Sequence, residues 1–586
     1  MKTLKPVRIV QFESTPCAPF ENAERMAAIV RKARADGVGL VVFPSSSIHY
    51  GTSNVNAQED FEADCVAAAQ VAIEASEAIS VLFQSFFDDG NGPTYSFVFA
   101  EDGKTAAFGK LEDDATTLTS AYSGKFAIVS SEDLALGFND DDDDADVPEF
   151  EKGTAFVVVC DNESYNHDDP AFLVDCASQL ARIAKLPLFY ANGVGVQNHG
   201  KLVEIFRGDS AVFDARGRRV ALATASEECV LTLAPGDCGR KCSLREIPPR
   251  EEGVAELTEA LRHGLRTFMA QCGVRRVVIG VSGGIDSAVS TALYGSILRP
   301  EDILLVSMPG PFTSGTTRGL AHALAANLGA RFAEIPIGES VELTRRQFAE
   351  LVAEGPHGAM AGAWSLSPFA LENVQARDRG SRILSAAAAA FGGVVSCNAN
   401  KDECTVGYGT MYGDITGWLC CLGDLWKGDV YAVGRYLNDK VFKREIIPEG
   451  IFTVKPSAEL NEKQAVEKGL GDPLVYPYHD RLFQAWTEDL LSPFNCLAAY
   501  ADGELEDVIG FEGDVAELFP TPAAFIEDLE RWWNLFRGLS VAKRLQAPPS
   551  LVVGKAPLAA CTETQQRPYY SREYLELKKK LLGGAK

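Results

Sequence analysis

The run Val277-Val278-Ile279-Gly280-Val281, followed at once by Ser282-Gly283-Gly284-Ile285-Asp286-Ser287 and an apolar stretch from Ala288 to Ile297, constrains this chain more than any other segment. A short apolar run rich in β-branched residues predicts a buried strand, and the stretch after the turn predicts a helix. Two adjacent glycines let the backbone turn tightly and bring amide groups against an anion. The start of the following helix aims its positive dipole end at the same point. Ser282 and Ser287 add hydroxyl donors, and Asp286 is suited to hold a magnesium ion. A kinase-type loop reads GxxxxGK[ST], and the lysine that reaches the terminal phosphates there is absent here. The loop is therefore not read as one built for γ-phosphoryl transfer.

The remaining length predicts a second domain, because 586 residues exceed what one core accommodates. Apolar runs at 7–10, 40–43, 80–84, 95–100, 156–159, 186–191 and 210–213 read as strands, and the Ala-rich segment 22–35 reads as a helix. An α/β domain over residues 1–235 follows. The Gly-, Pro- and charge-rich stretch 236–253 reads as a connector, and a helix over 254–271 opens a second α/β domain over 254–586. Five consecutive aspartates within 139–146 read as a solvated surface loop.

Charge and cysteine usage narrow the partners. The formal net charge of −26 opposes binding to nucleic acid or to an anionic membrane. A phosphate-bearing ligand must therefore be held by local amides, a metal ion and a few placed cations. The fourteen cysteines are scattered without paired CxxC spacing, which argues against a zinc site. The N-terminus has no signal-peptide pattern and no run of eighteen apolar residues occurs, so a cytoplasmic protein is expected.

The hexapeptide Ser282–Ser287 resembles the loop of the adenylating ATP pyrophosphatases, whose cradled group is the pyrophosphate that leaves. Later segments resemble one branch of that class, the NAD synthetases. Asn373-Val374-Gln375-Ala376-Arg377-Asp378-Arg379 is similar to their NxQARxR, Asn400-Lys401-Asp402-Glu403 to their NKSE, and residues 407–414 to GYxTxYGD. Asp424-Leu425-Trp426-Lys427, then Pro456-Ser457-Ala458-Glu459-Leu460 and Lys543-Arg544, follow in the family's order. The family's QxDE-like segment is only partly kept, in Gln464-Ala465-Val466-Glu467.

The resemblance implies a doubly wound parallel-sheet ATP pyrophosphatase domain that converts deamido-NAD to NAD, with ATP as substrate and Mg2+ as cofactor. It implies ATP and pyrophosphate binding by Ser282, Gly283, Gly284, Asp286, Ser287, Met308 and Thr410, with Met308 and Pro309 flanking adenine. Asp286 and Glu403 would hold the metal, and Arg377, Lys401, Asp414 and Lys427 would bind deamido-NAD. A homo-oligomer is implied as well.

The first domain resembles the nitrilase-like amidase, an α/β sandwich, that the longer NAD synthetases use to release ammonia from glutamine. The likeness rests on residues 41–44, Phe108-Gly109-Lys110, Val158-Val159-Cys160 and 191–197 leading to Gly208-Asp209-Ser210. Such a site needs a thiol, a carboxylate base and a lysine that steadies an oxyanion. Cys160 and Lys110 stand in the nucleophile and lysine positions, but Ser45 occupies the place of the glutamate base. Serine accepts no proton at neutral pH, so glutamine hydrolysis is expected to be weak or absent and ammonia to be the nitrogen donor. Two alternatives remain open: full glutamine hydrolysis with Glu112 as substitute base, and a catalytically silent nucleotide-binding assembly protein.

Overall fold

The computed structural model describes residues 4–49, 58–88, 90, 93–110, 115–138, 147–250, 253–361, 364–558 and 567–583. The aspartate run 139–146 and Glu112 lie outside them. The chain folds as two compact units, one spanning Met1–His199 and Glu204–Glu252, the other Gly200–Val203 and Gly253–Lys586.

The first unit holds two six-stranded sheets. One runs Cys229–Leu233, Val7–Gln11, Leu40–Val42, Ser80–Asp88, Pro93–Glu101, Lys104–Gly109. The other runs Arg219–Leu222, Ala211–Phe213, Leu188–Ala191, Phe156–Cys160, Gly124–Val129, Thr116–Ser120. Their alternating side chains explain the layering. Ile9, Val42, Leu82 and Phe99 meet Phe126, Phe156, Val158 and Phe189 between the sheets. The opposite faces pack on helices Pro19–Ala35 and Glu59–Glu74 in one case and on Phe172–Ala184 in the other. This is an α/β sandwich, as the sequence led us to expect.

The stretch read as a connector is a correction. Residues 236–250 pack on the first unit: Cys238 is fully buried, the Ile247 amide donates to Arg219 O at 2.8 Å, and Arg250 Nε lies 2.6 Å from Asp209 Oδ1. Turn residues and charge marked it as irregular, but irregular chain can still find partners in its own domain.

In the second unit six strands run parallel in the order Ser550–Val552, Leu419–Cys420, Val394–Cys397, Val277–Gly280, Ile303–Ser307, Arg331–Glu334. Taken in chain order these are strands 6-5-4-1-2-3, the doubly wound arrangement. Its switch point lies between the first strand, Val277–Gly280, and the fourth, Val394–Cys397. Ligands of such sheets bind in the crevice beyond the carboxyl ends at that point. The Ser282–Ser287 loop leaves one of these strands and the Asn400–Glu403 segment leaves the other. A separate helical cluster around Tyr478, Phe483, Trp486, Phe525 and Trp532 completes the unit. Among the described residues no helix is long and apolar enough to cross a membrane.

Candidate active site at the sheet switch point

The glycine turn is built against a neighbouring helix. Gly283 has φ +86°, and a β-carbon there would come within 2.1 Å of Thr317 O, so only glycine fits. Gly284 caps helix Ile285–Gly295. The Gly284 amide donates to Ser282 Oγ at 3.2 Å, the Ser282 amide donates to Ser287 Oγ at 3.3 Å, and Ser287 Oγ–H donates to Gly284 O at 3.1 Å. Thr317 is itself fixed: its hydroxyl donates to Glu459 Oε2 at 2.6 Å, and Glu459 Oε1 accepts from the Ser314 amide at 3.2 Å. The Pro456–Leu460 segment thereby braces the loop.

Across the crevice Asn400 opens helix Lys401–Val406 with a reciprocal capping box to Glu403. Asn400 Nδ2–H also donates to Asp286 Oδ1 at 3.0 Å, tying the two switch-point segments together. Asn398 Nδ2–H donates to Gly280 O at 3.0 Å. The far end of the same helix is held by Arg544, which donates to Cys404 O and Thr405 O, and by Lys543, which donates to Gly407 O. Cations at a helix C-terminus complement its dipole. Our sequence reading gave none of these roles to Asn400, although its spacing three residues before Glu403 carried the capping signal.

The charged centre consists of Asp286, Glu403 and Lys427. The Lys427 ammonium lies 2.7 Å from Asp286 Oδ2 and 4.6 Å from the Tyr476 ring centroid. Burial, with the Asp286 charge next, pushes the Glu403 carboxyl well above the usual carboxylate range. The Asp286 charge, followed by that of Glu403, raises Lys427 against the lowering effect of its burial. Two carboxyl groups beside one ammonium gather hard oxygen donors at one spot. Among the described residues no three His, Cys, Asp or Glu side chains converge as a metal cage. A magnesium ion is commonly held by one or two carboxylates together with phosphates and waters, so this pair fits it.

Three other expected residues converge beside this centre. Thr410 donates its amide to Asp414 Oδ1 at 2.6 Å and its hydroxyl to Asn373 Oδ1 at 2.9 Å, while exposed Arg377 donates Nε–H to Met411 O at 3.1 Å. Gly413 and Gly380 allow the contact, since a β-carbon on Gly380 would lie 1.9 Å from Gly413 O. Met308 sits at the end of strand Ile303–Ser307, where its carbonyl accepts from Arg379 Nε at 3.0 Å. The partly kept QxDE segment still engages this region: Gln464 Nε2–H donates to the Tyr408 hydroxyl at 3.0 Å, and Glu467 Oε1 accepts from the Gly315 amide at 3.2 Å.

Lys401 departs from expectation. Its ammonium is 1% exposed, 3.0 Å from Asp424 Oδ1 and 2.9 Å from Glu488 Oε1, and it lies over the Trp426 ring. Two carboxylates and an indole face enclose it, so the geometry favours a clamp inside the domain over a substrate contact.

In the first unit Cys160 is 3% exposed at the end of its strand, and burial, with the Asp161 charge second, pushes its thiol far above the ordinary value. Asp161 is no free base, since its Oδ2 accepts from the Tyr190 hydroxyl at 2.6 Å. Ser45 donates its amide to Asp161 O at 3.1 Å, and the Tyr95 hydroxyl meets the Ser46 amide at 3.0 Å. Lys110 is exposed just beyond the edge strand Lys104–Gly109.

Residues 257–498 match the NAD synthase family model. The chain is 31% identical over 319 residues to the glutamine-dependent NAD(+) synthetase of Synechocystis sp., covering 54% of this chain and 53% of that protein. It is 25% identical over 528 residues to the glutamine-dependent NAD(+) synthetase of Acinetobacter baylyi, covering 87% and 92%. The alignment with the first of these thus spans about half its length. A solved structure of a glutamine-dependent NAD(+) synthetase from Cytophaga hutchinsonii superposes with a TM-score of 0.75 at 14% identity, over 99% of this chain and 100% of that one.

Proposed function

We propose, because the chain belongs to the NAD synthase family, that it amidates deamido-NAD to NAD at the expense of ATP, releasing AMP and pyrophosphate, with ammonia as nitrogen donor. The observation that carries this reading is the convergence of the glycine turn, Asp286, Glu403 and Lys427 at the switch point of a doubly wound sheet.

The Gly283–Gly284 amides and the Ser282 and Ser287 hydroxyls bind the departing diphosphate. Asp286 and Glu403 would hold magnesium, and the ion would supply positive charge for the phosphate oxygens. Lys427, fixed on Asp286, adds a second cation. Met308 flanks adenine, while Arg377 and Asp414, gathered with Thr410, bind deamido-NAD. A nicotinate carboxylate oxygen attacks the α-phosphorus and pyrophosphate leaves. Ammonia then attacks the acyl carbon of the adenylate, AMP leaves, and one proton goes to solvent. Adenylation turns an inert carboxylate into a good acyl donor.

Ammonia is favoured over glutamine because Ser45 stands in the base position and the Cys160 thiol holds its proton. The relatives above are named as glutamine-dependent, so the point separates this chain from them. Product analysis with labelled ATP tests the reading: AMP and pyrophosphate support it, while ADP and phosphate overturn it. Asp286→Ala should abolish AMP formation.

A further inference from the structure

Three thiols that the proposed reaction does not use line one small cavity behind the switch point. Cys397 ends strand Val394–Cys397, and Cys420 is its registered partner in the neighbouring parallel strand Leu419–Cys420. Registered neighbours point to the same face of a sheet, and both side chains join Ala399 and Cys404 in one buried cluster. Each of these two thiols lies near enough to the other to shift its ionisation. Adjacent strands lie about 4.7–4.9 Å apart, within the roughly 4.4–6.8 Å between α-carbons that a disulfide accepts. The cavity, with Arg544 and Ser550 also on its wall, measures about 30 Å³. That is room for about two water-sized groups, the size of hydrogen peroxide.

Cys420 also has a task in the reduced state. Its S–H donates to Ala399 O at 3.0 Å. Ala399 is 6% exposed and sits between Asn398, which anchors on Gly280 O, and Asn400, which anchors on Asp286. A disulfide at Cys420 removes that donor and leaves a buried carbonyl unpaired in the segment that aligns Asn400 and Glu403.

We propose that Cys397 and Cys420 form an oxidation site for hydrogen peroxide, closing to a disulfide that loosens residues 398–403 and reversibly shuts the synthetase centre. In the first step a thiolate sulfur attacks one peroxide oxygen, the O–O bond breaks, and a sulfenic acid and water form. The second thiol then attacks the sulfenic sulfur, forming the S–S bond and releasing a second water. Two thiols lose two electrons in all, and peroxide gains them. A small dithiol reverses the bond by exchange.

The test uses the full-length protein treated with hydrogen peroxide, quenched by alkylation under denaturing conditions and mapped by mass spectrometry without reduction. The exposed thiols Cys17 and Cys272 serve as reference sites. A Cys397–Cys420 cross-linked peptide, removed by dithiothreitol, is the expected result. Recovery of both cysteines in alkylated form, or a cross-link from either to Cys404, would overturn the proposal. Hydrogen–deuterium exchange over 398–403 should rise on oxidation and recover on reduction; unchanged exchange in the cross-linked protein overturns the loosening. Ammonia-driven NAD formation should fall about tenfold or more, since small displacements of positioning groups cost up to about 10²-fold. It should fall in the wild type but not in Cys397→Ala. This last arm rests on the function proposed above, whereas the peptide map and the exchange data stand without it. Absent NAD formation before any oxidation would therefore sink that function and leave the oxidation site to be decided by the other two arms.

Discussion

The Lys427 ammonium lies 2.7 Å from Asp286 Oδ2 while Asn400 Nδ2 lies 3.0 Å from Asp286 Oδ1, so one loop carboxylate is gripped by two segments that follow other strands. The glycine turn, the Asn400–Glu403 segment and the helix Lys427–Tyr436 are thereby held as one unit. Lys427 is also the one ammonium set between Asp286 and Glu403 among the described residues. Lys427→Met should lower AMP formation at saturating ATP by about 10²- to 10³-fold, the usual cost of losing one preorganised charge-stabilising group. A loss below tenfold in protein whose thermal melt shows it folded would remove Lys427 from the machinery.

Gly283→Ala should be as damaging without altering any charge. The position combines φ +86° with a carbonyl 2.1 Å from the new β-carbon, and backbone on both sides cannot yield cheaply. A strained left-handed residue alone costs of order 1–3 kcal/mol, and the clash adds to it. Isothermal titration with ATP should show binding weakened at least about tenfold. Ser282→Ala, which removes one donor and leaves the turn intact, should lose less. Equal losses would mean that the turn's shape is not what binds.

Lys401→Met separates the clamp from the substrate contact that its motif suggested. Removing one partner from a buried ion cluster leaves the others uncompensated and typically costs about 3–5 kcal/mol. Here the abandoned groups are Asp424 and Glu488, both at most 2% exposed. Denaturant unfolding should show that loss, while KM for deamido-NAD, measured where the variant is still folded, should stay within about twofold. An undisturbed stability with a raised KM would restore the substrate role.

That contrast shows what could be read from the chain. Strand Val277–Gly280 and its loop were legible because an apolar run, two glycines and a helix follow in immediate succession. Lys401 and Lys427 look alike in sequence, each a lysine inside a motif. Their fates diverge through tertiary partners: Glu488 reaches Lys401 from 87 positions away, and Asp286 reaches Lys427 from 141. No local pattern encodes such pairings. Residues 236–250 were misread for the same reason, since turn chemistry reports local irregularity and is blind to the docking of Cys238 and Arg250 on their own domain.

A pH-dependent contribution to stability should come from Asp480. Its Oδ2 accepts the Gly428 amide at 2.9 Å, and neighbouring Asp402 accepts the Lys427 amide at 2.9 Å. Burial pushes the Asp480 carboxyl up to about 6 in spite of the Gly428 amide, its hydrogen bond with Asp402 and the Lys427 charge, while Asp429 adds to the rise. A carboxyl raised in the folded state holds its proton there more tightly than in the unfolded chain, whose ordinary value is about 3.9. Stability therefore falls as pH climbs from about 4 to about 6 and stays penalised above that. Asp480→Asn removes the penalty and keeps an acceptor for Gly428. The variant should melt higher than wild type at pH 7.5 and converge with it below about pH 4. A variant that melts lower at pH 7.5 would show that the Asp480 charge stabilises the fold.

The nitrogen donor can be settled by the behaviour of Cys160. A thiol serves as nucleophile only as thiolate, and three conditions keep this one protonated: it is 3% exposed, the nearby Asp161 charge opposes ionisation, and the position that would take its proton holds Ser45. Losing a general base alone costs about 10²- to 10⁴-fold. With ATP and deamido-NAD supplied, glutamine should therefore support NAD formation at no more than about 1% of the rate reached with saturating ammonium. Cys160→Ala should leave the ammonium-driven rate unchanged and should not lower the residual glutamine signal, because that signal would come from free ammonia in the glutamine stock. Glutamine turnover comparable to that with ammonium, abolished in Cys160→Ala, would mean that another group takes the thiol proton and that the first unit is a working amidase.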